Sequence, residues 1–343
     1  MLDKKHIKYF KRLLPQNFVL HEPGDCWAYG YDNSKLHVLP ECVLFANKKI
    51  QIQEIIKYCF INNIPITTRG RGTGNTGGSV PTDGSIVLSL EKMSQILNID
   101  TRNRLVVVQP GVINKKLQDM LKEENFFWGP DPSSQDYSTV GGNIANNSAG
   151  PRAIKYGTPR DNILGLEFVS GTGEIYKTGV RTSKGVVGLD LTRLFTGSEG
   201  VLGILTEATL KILPLNNSIK TIEVTFDDIS SASKTIINLM TQPVTPYKLE
   251  FVDKQSIGLI NTIKTNHYEK NTNSAILLEI DGENEYINIM LSKIITVIKK
   301  GKFKKLTIAE NQIDINNLWS ARKSLSPALR ELGGYKINED IAE

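Results

Sequence analysis

Residues 67–78 form the stretch TTRGRGTGNTGG, in which glycines alternate with polar and basic side chains. Gly72, Gly74 and Gly77 satisfy the spacing G-x-G-x-x-G. Glycine leaves backbone N–H groups unobstructed, so that successive amides can surround an anion as a nest. The stretch is either such a phosphate-binding loop or a flexible solvent loop. Its two arginines and the strand-like IPITTR (64–69) around its start favour phosphate binding.

The segment after the glycines distinguishes two kinds of phosphate site. In a dinucleotide-binding Rossmann fingerprint the third glycine opens a helix, and the first amides of that helix receive the diphosphate. Here the glycines lead into GSVPTDGSIVLSL (78–90), where Pro81 and the turn TDG precede another strand. Glu91 and Asp100 follow, but without the helix that the fingerprint requires. The sequence therefore favours a phosphate loop that works without a helix.

Composition is that of an ordinary globular protein. The chain has 343 residues, 40% hydrophobic and 22% charged, which is enough for two domains. The net charge is +5, but acids are interleaved with bases, and KKGKFKK (299–305) resembles a solvated helix end or turn, so we predict no nucleic-acid partner.

The cysteines and the apolar segments indicate the cellular compartment of the protein. Cys26, Cys42 and Cys59 lack C-x-x-C spacing, which predicts buried, reduced thiols of a cytoplasmic protein. No stretch resembles a signal peptide or a membrane span.

The distribution of glycine predicts where domains divide. Of the 28 glycines, 21 lie between Gly70 and Gly203, and the chain after Pro214 alternates strands and helices with few glycines. We expect an α+β protein with a lead-in (1–37), a glycine-rich domain (38–214) and a second α+β domain (215–343). The glycine-rich domain is expected to contain two subdomains, about 38–100 and 101–214.

Two further stretches contain candidate ligand groups. GPDPSSQDYSTVGGNIANNSAG (129–150) combines hydroxyl side chains with glycines before a short helix, and open amides at such a turn can bind phosphate. In LTRLFTGSEGVLGILTEATLKILP (191–214), Glu199 stands between glycines. A lone glutamate in a loop is usually solvated, but one flanked by glycines can approach a ribose or a ring edge.

Five segments, in this order, resemble the flavoproteins with a p-cresol methylhydroxylase-type FAD domain, and among them the group of glycolate oxidases and D-lactate dehydrogenases. They are PITTRGRGTGNTGGSVP, VVVQPGV, DPSSQDYSTVGGNIANNSAG, KYGTPRDNILGLEFV and LTRLFTGSEGVLGILTEATLKILP, and they cover about residues 25–214. The resemblance implies FAD between two α+β subdomains, followed by a partial α+β cap domain for the substrate. Some relatives attach the flavin to a histidine of the first glycine loop. His6, His21, His37 and His267 lie outside that loop, which predicts non-covalent FAD.

The resemblance also implies which residues contact FAD. The first stretch would surround the diphosphate, the second would form the wall near the flavin, and the third would lie near the adenosine half. The implied cofactor-binding residues are Arg69, Gly70, Arg71, Gly72, Thr73, Gly74, Asn75, Gly77, Gly78, Pro130, Asp131, Ser134, Ser138, Thr139, Gly141, Gly142, Asn143, Ala145, Gly150, Tyr156, Gly157, Glu199, Gly200 and Ile204.

The implied reaction is dehydrogenation of a small 2-hydroxy acid of the D-lactate or glycolate type, with hydride transfer to flavin N5. Arg322, in a W-x-x-R segment, is the candidate for the substrate carboxylate, and the alternative is an arginine on a solvated helix face. Ser326 and Asn338 are weaker candidates.

The base of the family lies in a segment H-x-G-D-G-N-x-H that the chain does not contain, and no cluster has metal-ligand spacing. We therefore expect one of two functions. The first is a dehydrogenase that passes electrons to a quinone, a cytochrome or an iron–sulfur protein, with any contact to the inner membrane made through partners. The second is an FAD-binding remnant or subunit of a split or truncated enzyme, without turnover of its own.

Overall fold

The computed structural model describes residues 2–182, 184–264 and 267–333. The chain divides into two compact units. The first unit comprises Met1–Gly150 and Gly157–Leu215, and the second comprises Pro151–Tyr156 and Asn216–Glu343. A short excursion between Gly150 and Gly157 thus belongs to the second unit.

The strands are distributed over both units. They are β1 (Val19–Leu20), β2 (Val43–Phe45), β3 (Ile66–Arg69), β4 (Ile86–Ser89), β5 (Ile96–Asp100), β6 (Leu105–Val108), β7 (Phe126–Trp128), β8 (Ile163–Val169), β9 (Ile175–Gly179), β10 (Ile204–Pro214), β11 (Ser218–Phe226), β12 (Lys248–Asp253), β13 (Ser274–Gly282) and β14 (Lys305–Ile308).

The α-helices vary from one turn to more than five. They are α1 (Lys4–Leu13), α2 (Pro23–Cys26), α3 (Lys49–Ile61), α4 (Asn114–Glu123), α5 (Val140–Ala145), α6 (Ala153–Tyr156), α7 (Leu191–Phe195), α8 (Ile229–Met240), α9 (Lys254–Ile263), α10 (Ile287–Lys299) and α11 (Gln312–Glu331). Mixed helices and separate sheets confirm the predicted α+β class.

The first sheet of the first unit has the order β1-β2-β4-β3, with β4 parallel to both β2 and β3. Helix α3 connects β2 to β3 and buries Ile52, Ile55 and Cys59 in the core beneath the sheet. Its apolar residues recur at helical spacing, which is why this segment forms a helix with one buried face. Because Arg69 pairs with Ser89 at the last position of β3, the glycine-rich stretch leaves the sheet at the carboxyl end of a strand.

The second sheet of the first unit has the order β5-β6-β10-β8-β9 and is antiparallel. Strand β7 pairs with the carboxyl end of β10. Its core contains Trp128, which is fully buried, together with Leu117 and Leu121 of α4 and Ile144 of α5. This packing holds the short helix α5 against the sheet, although six residues alone would not form a stable helix in water.

The second unit contains one antiparallel sheet of order β12-β13-β11-β14. Side chains alternate between its faces. Ile222, Leu278 and Ile294 belong to an apolar core on one face, with α8 and α10. The opposite face contains Val252 and Ala275 near α9 and α11, beside a row of polar residues.

Among the described residues, no helix has both the length and the apolar character needed to cross a membrane. Cys26, Cys42 and Cys59 are all buried free thiols, as predicted. Burial raises the pKa of Cys26 to about 11 and that of Cys59 to about 12.

Candidate FAD site and polar face of the second unit

The glycine loop, defined here as residues 70–79, begins where β3 ends. Gly72 and Gly77 have φ angles of +64° and +84°, which L-residues with a Cβ rarely adopt, so the chain turns sharply at both. Within the part of the chain that the structure describes, no backbone N–H from Gly70 to Ser79 donates a hydrogen bond. The loop thus presents consecutive unpaired donors.

The side chain of Arg69 lies beneath this loop. It is buried, and its Nη1 donates to the carbonyl oxygen of Tyr31 at 2.7 Å. A Cβ on Gly72 would lie 2.2 Å from Arg69 Nη2, so the guanidinium occupies the space that a side chain at position 72 would need. Arg69 was predicted to contact the cofactor, and the structure shows its guanidinium bracing the loop from within the protein.

The stretch around Thr139 approaches the start of the glycine loop. Thr139 Oγ1 caps α5 by accepting from the amide of Gly142 at 3.1 Å. A Cβ on Gly70 would lie 2.5 Å from the same oxygen. The glycine at position 70 therefore allows the two stretches to come into contact.

The first turn of α5 lacks the open amides that the sequence led us to expect. The amides of residues 140–142 donate to the carbonyls of Val112 and Pro110 and to the hydroxyl of Thr139. Gly141 is needed for packing, because a Cβ there would lie 2.6 Å from the Pro110 side chain. The expectation was wrong because local spacing does not show that a distant carbonyl reaches these amides.

A buried amide network joins this turn to α4. Asn143 Nδ2 donates to Ser138 Oγ at 3.1 Å, and Asn114 Nδ2 donates to Asn143 Oδ1 at 3.0 Å. Asn114 is fully buried, and its Oδ1 has no hydrogen-bond partner among the described residues. Asn114 was not predicted, because its only sequence signal is a polar residue at the first position of a helix.

The loop around Glu199 contacts both the end of α5 and the glycine loop. Glu199 has a φ of +53°, and its amide donates to the carbonyl of Ala145 at 2.8 Å, at the end of α5. Its carboxylate reaches the glycine loop, since a Cβ on Gly78 would lie 2.7 Å from Glu199 Oε2. Ile204, also predicted here, is buried in the core at the start of β10. All three predicted stretches therefore meet within the first unit.

The other predicted residues of the first unit lie around this region or close its turns. Asp131 donates its amide to Ala149 at 2.7 Å, and Gly150, with a φ of +89°, leaves room for the Asp131 carbonyl. Gly157, with a φ of +76°, lies over Asp161. Ser134 accepts from the amides of Tyr137 and Ser138 in the same wall, which contains Pro130.

These residues fit a diphosphate. A row of unpaired N–H donors without side-chain obstruction is the arrangement that binds phosphate oxygens. Arg71 is half exposed in the same loop and lies 3.9 Å from Glu91, which leaves its charge near the donors. A Cβ on Gly74 would meet only Asp32 Oδ2, at 3.8 Å, so the glycine there leaves an open surface.

The second unit holds the predicted substrate residue, Arg322. Its Nε and Nη2 both donate to Glu250 Oε2, at 3.1 and 2.9 Å. Ser326 lies one helical turn further along α11. Asn338 lies outside the described residues.

Other carboxylates on the same sheet face are also paired. Glu279 accepts from Trp319 Nε1 at 2.6 Å and from Thr221 at 2.8 Å, and it lies 3.2 Å from Lys248 Nζ. Glu223 lies 3.4 Å from His267 Nε2, a pairing that the isolated position of His267 in the sequence did not indicate.

Tyr156 belongs to this second unit. Its hydroxyl donates to Asp281, which also accepts from Lys155 Nζ at 2.5 Å and from Asn216 Nδ2 at 2.7 Å. Burial and the hydrogen bond to Asp281 raise the pKa of Tyr156. The structure thus assigns Tyr156 to the polar face, while the other predicted cofactor residues lie in the first unit. In the described part of the chain, no group of histidine, cysteine, aspartate and glutamate side chains could hold a metal ion.

Comparison with known proteins identifies the family. Residues 40–179 match the FAD binding domain, and residues 215–342 match the C-terminal domain of FAD linked oxidases. The chain is 37% identical over 327 residues to glycolate oxidase subunit GlcD of Bacillus subtilis, covering 95% of this chain and 69% of that protein. The chain belongs to the FAD-linked oxidases.

Two further comparisons agree. A D-lactate dehydrogenase of Anaerostipes hadrus is 33% identical over 255 residues, which are 73% of this chain and 53% of that protein. The crystal structure of p-cresol methylhydroxylase with substrate bound has the same fold, with a TM-score of 0.72 at 19% identity, over 91% of this chain and 68% of that one. The chain therefore spans between about half and two thirds of the length of these proteins.

These findings confirm three predictions: the family resemblance, the α+β fold with its p-cresol methylhydroxylase-type FAD domain, and FAD as the cofactor. The residues that contact FAD stay predictions.

Proposed function

We propose that the chain is an FAD-dependent oxidoreductase that dehydrogenates a small 2-hydroxy acid of the D-lactate or glycolate type. The observation that supports it most is the glycine loop, whose amides from Gly70 to Ser79 are unpaired within the described residues and lie beside Thr139 and Glu199. The two relatives compared above carry names of enzymes that act on glycolate and D-lactate.

In this proposal the glycine loop binds the diphosphate through its backbone, with Thr139 and Glu199 beside it. FAD bound there would supply the two-electron acceptor for oxidation of the substrate. Binding is non-covalent, because none of His6, His21, His37 and His267 lies in the glycine loop.

Arg322 is proposed to hold the substrate carboxylate. A guanidinium binds a carboxylate through two parallel hydrogen bonds, and its two donors already point at one oxygen of Glu250. The substrate acid would replace Glu250 at this position, so one carboxylate exchanges for another. We assign Ser326 and Asn338 weaker supporting roles and assign no residue to the proton-accepting role.

The electrons would pass to a quinone, a cytochrome or an iron–sulfur protein. Any association with a membrane would come from that partner.

An absorbance spectrum of the purified protein tests the proposal first. We expect flavin bands, and after acid precipitation we expect the flavin in the supernatant. A colourless protein that takes up no added FAD would refute the cofactor assignment, and flavin in the pellet would refute non-covalent binding. Anaerobic bleaching on addition of D-lactate or glycolate then tests the reaction.

A second candidate function is FAD binding without turnover. It is favoured by the pairing of Arg322 with Glu250, because Glu250 already accepts from two donors of the arginine that we assign to the substrate carboxylate. Under this hypothesis the flavin is present and no 2-hydroxy acid reduces it. The same anaerobic experiment therefore separates the two functions.

A further inference from the structure

The segment Tyr31–Asn33 lies against the glycine loop, although it precedes the matched FAD binding domain, which starts at residue 40. The amide of Asn33 donates to the carbonyl of Gly74 at 2.9 Å, and Asn33 Nδ2 donates to Asn75 Oδ1. The carbonyl of Tyr31 accepts from Arg69 Nη1 at 2.7 Å. The segment is thus tied both to the residue before the loop and to its centre.

Asp32, between these two residues, is almost fully buried at 2% exposure. Its Oδ1 accepts from the amide of Ser34 at 2.8 Å, and its Oδ2 accepts from Ser79 Oγ at 3.5 Å, at the far end of the loop. The same Oδ2 lies 3.8 Å from the position that a Cβ on Gly74 would take. Asp32 therefore contacts the end of the loop at Ser79 and lies close to its centre at Gly74.

A buried carboxylate is costly unless a cation compensates it. Arg69 is the buried cation nearby, at 6% exposure. Burial lowers the pKa of the Arg69 guanidinium, and the charge of Asp32 is the largest influence that opposes this lowering. Asp32 Oδ2 and Arg69 Nη1 also both lie 3.5 Å from Ser79 Oγ, so the two buried charges are linked through the end of the loop.

The contacts between this segment and the loop use mainly the loop's acceptors. Asn33 binds the Gly74 carbonyl and the Asn75 side-chain oxygen, while Asp32 takes the Ser79 hydroxyl. The backbone N–H groups of the loop are left unpaired within the described residues. Restraint of this kind orders the backbone and keeps its donors available for an anion.

A loop with five glycines would otherwise sample many conformations, and ordering it would weaken ligand binding. Preorganisation removes that cost before the ligand arrives. We propose that Tyr31–Asn33, together with Arg69, form a clamp that holds the glycine loop in its phosphate-binding conformation, with Asp32 and Asn33 as positioning residues for FAD. This inference rests on the proposed function only in taking FAD as the ligand of the loop.

Two variants test the clamp: Asp32→Asn removes the charge at constant size, and Asn33→Ala removes the side-chain bond to Asn75. Asp25→Asn, an exposed change in the preceding helix α2, is the control. FAD is titrated into the flavin-free proteins, and we expect each clamp variant to raise the dissociation constant at least ~10-fold with the control unchanged.

Trypsin supplies a readout that does not depend on FAD. Arg71 is half exposed within the loop, so a loosened loop is cut faster after this residue. Without FAD, we expect both clamp variants to be cut there several times faster than the wild type, with unchanged circular dichroism. If Asp32→Asn fails to fold, Asn33→Ala carries the test.

The outcomes distinguish this inference from the proposed function. A wild-type chain that binds no FAD refutes the proposed function. A wild type that binds FAD, with clamp variants of equal affinity, overturns the clamp whether or not their trypsin cleavage changes. Weaker FAD binding together with faster cleavage after Arg71 supports it.

Discussion

The glycine loop and the polar face of the second unit's sheet are opposite kinds of polar surface. The glycine loop presents backbone donors that have no acceptor within the described residues. On the polar face, the carboxylates of Glu250, Glu279 and Asp281 each accept from several donors. The donors of the glycine loop have no acceptor within the described residues, whereas the charges of the polar face are already compensated.

The difference shows how each surface could take a ligand. An anion adds hydrogen bonds at the glycine loop and displaces only water, without breaking a hydrogen bond between the described residues. At the polar face a substrate must displace an internal partner, such as Glu250 from Arg322. Binding is then favoured only by the difference between the interaction free energies of the two carboxylates with Arg322. Cofactor binding and substrate binding should therefore respond differently to mutation.

The largest expected effect comes from obstructing the donors. Gly74→Val places a branched side chain on an open surface, where a Cβ has only Asp32 Oδ2 nearby, at 3.8 Å, so the fold should persist while the amides are covered. We expect FAD affinity to fall at least ~1,000-fold, or about 4 kcal/mol, as measured by bound flavin per protein. Gly171→Val, at a glycine with open space in another turn, is the control. Stoichiometric FAD in Gly74→Val would show that the amides of the glycine loop do not bind the cofactor.

The second effect concerns stability of the polar face. Asp281→Ala removes the carboxylate that accepts from Lys155, whose side chain is 25% exposed, and from Tyr156 and Asn216. Removing one partner of a buried pair costs about 3 kcal/mol or more of unfolding free energy. Chemical denaturation measures this, with the exposed Glu283→Gln as the control. An unchanged denaturation midpoint would show that these charges are solvated rather than mutually compensated.

The third effect distinguishes substrate binding from cofactor binding. Arg322→Met should leave FAD bound and weaken reduction by D-lactate or glycolate ~100-fold, about 2.7 kcal/mol. Glu250→Gln should act in the opposite direction, because a neutral amide competes less well for the guanidinium. Both are measured by anaerobic flavin reduction against substrate concentration. Equal reduction in all three proteins would exclude Arg322 as the carboxylate holder.

The smallest effect comes from a compensated carboxylate in the first unit. Burial alone would raise the pKa of Glu167, but hydrogen bonds from Thr206, Lys49 and Lys177 lower it below its ordinary 4.5. A lowered pKa means that folding favours the charged form, so its stabilisation is present above about pH 4.5 and is lost as the pH falls through the folded-state pKa.

Glu167→Gln should therefore reduce the unfolding free energy at pH 7 by at most about 1 kcal/mol, because both lysines are largely exposed. The difference from the wild type should shrink as the pH falls below about 4.5. Denaturation curves at several pH values measure it, and a difference that grows on acidification would contradict the assignment.

Much of the fold could be predicted because its signals are local. The chain after Pro214 was expected to alternate strands and helices, and β11 (Ser218–Phe226), α8, β12, α9, β13 and α10 follow one another in that order. The interpretation of KKGKFKK as a helix end and turn also agrees, since α10 ends at Lys299 and β14 begins at Lys305.

The candidate site could be predicted only in part. Glycine spacing indicated the loop, and the resemblance indicated Thr139 and Glu199. The pairing of Arg322 with Glu250 had no sequence signal, because the partners lie on a helix and a strand 72 residues apart. Asn114 and Asp32 were missed for the same reason: a single polar residue gives no sign of which distant group it will contact.

The sequence by itself determined the α+β class, the unobstructed backbone of residues 70–78 and the absence of a Rossmann helix after it, since glycine content, Pro81 and side-chain periodicity act over a few residues. Only the tertiary structure decided that Asp32 and Arg69 contact the loop at Ser79, that Glu199 reaches Gly78, and that the first amides of α5 are already paired. These contacts form when β3, α5 and β10 pack in one unit, and such long-range packing leaves no periodic trace in the chain.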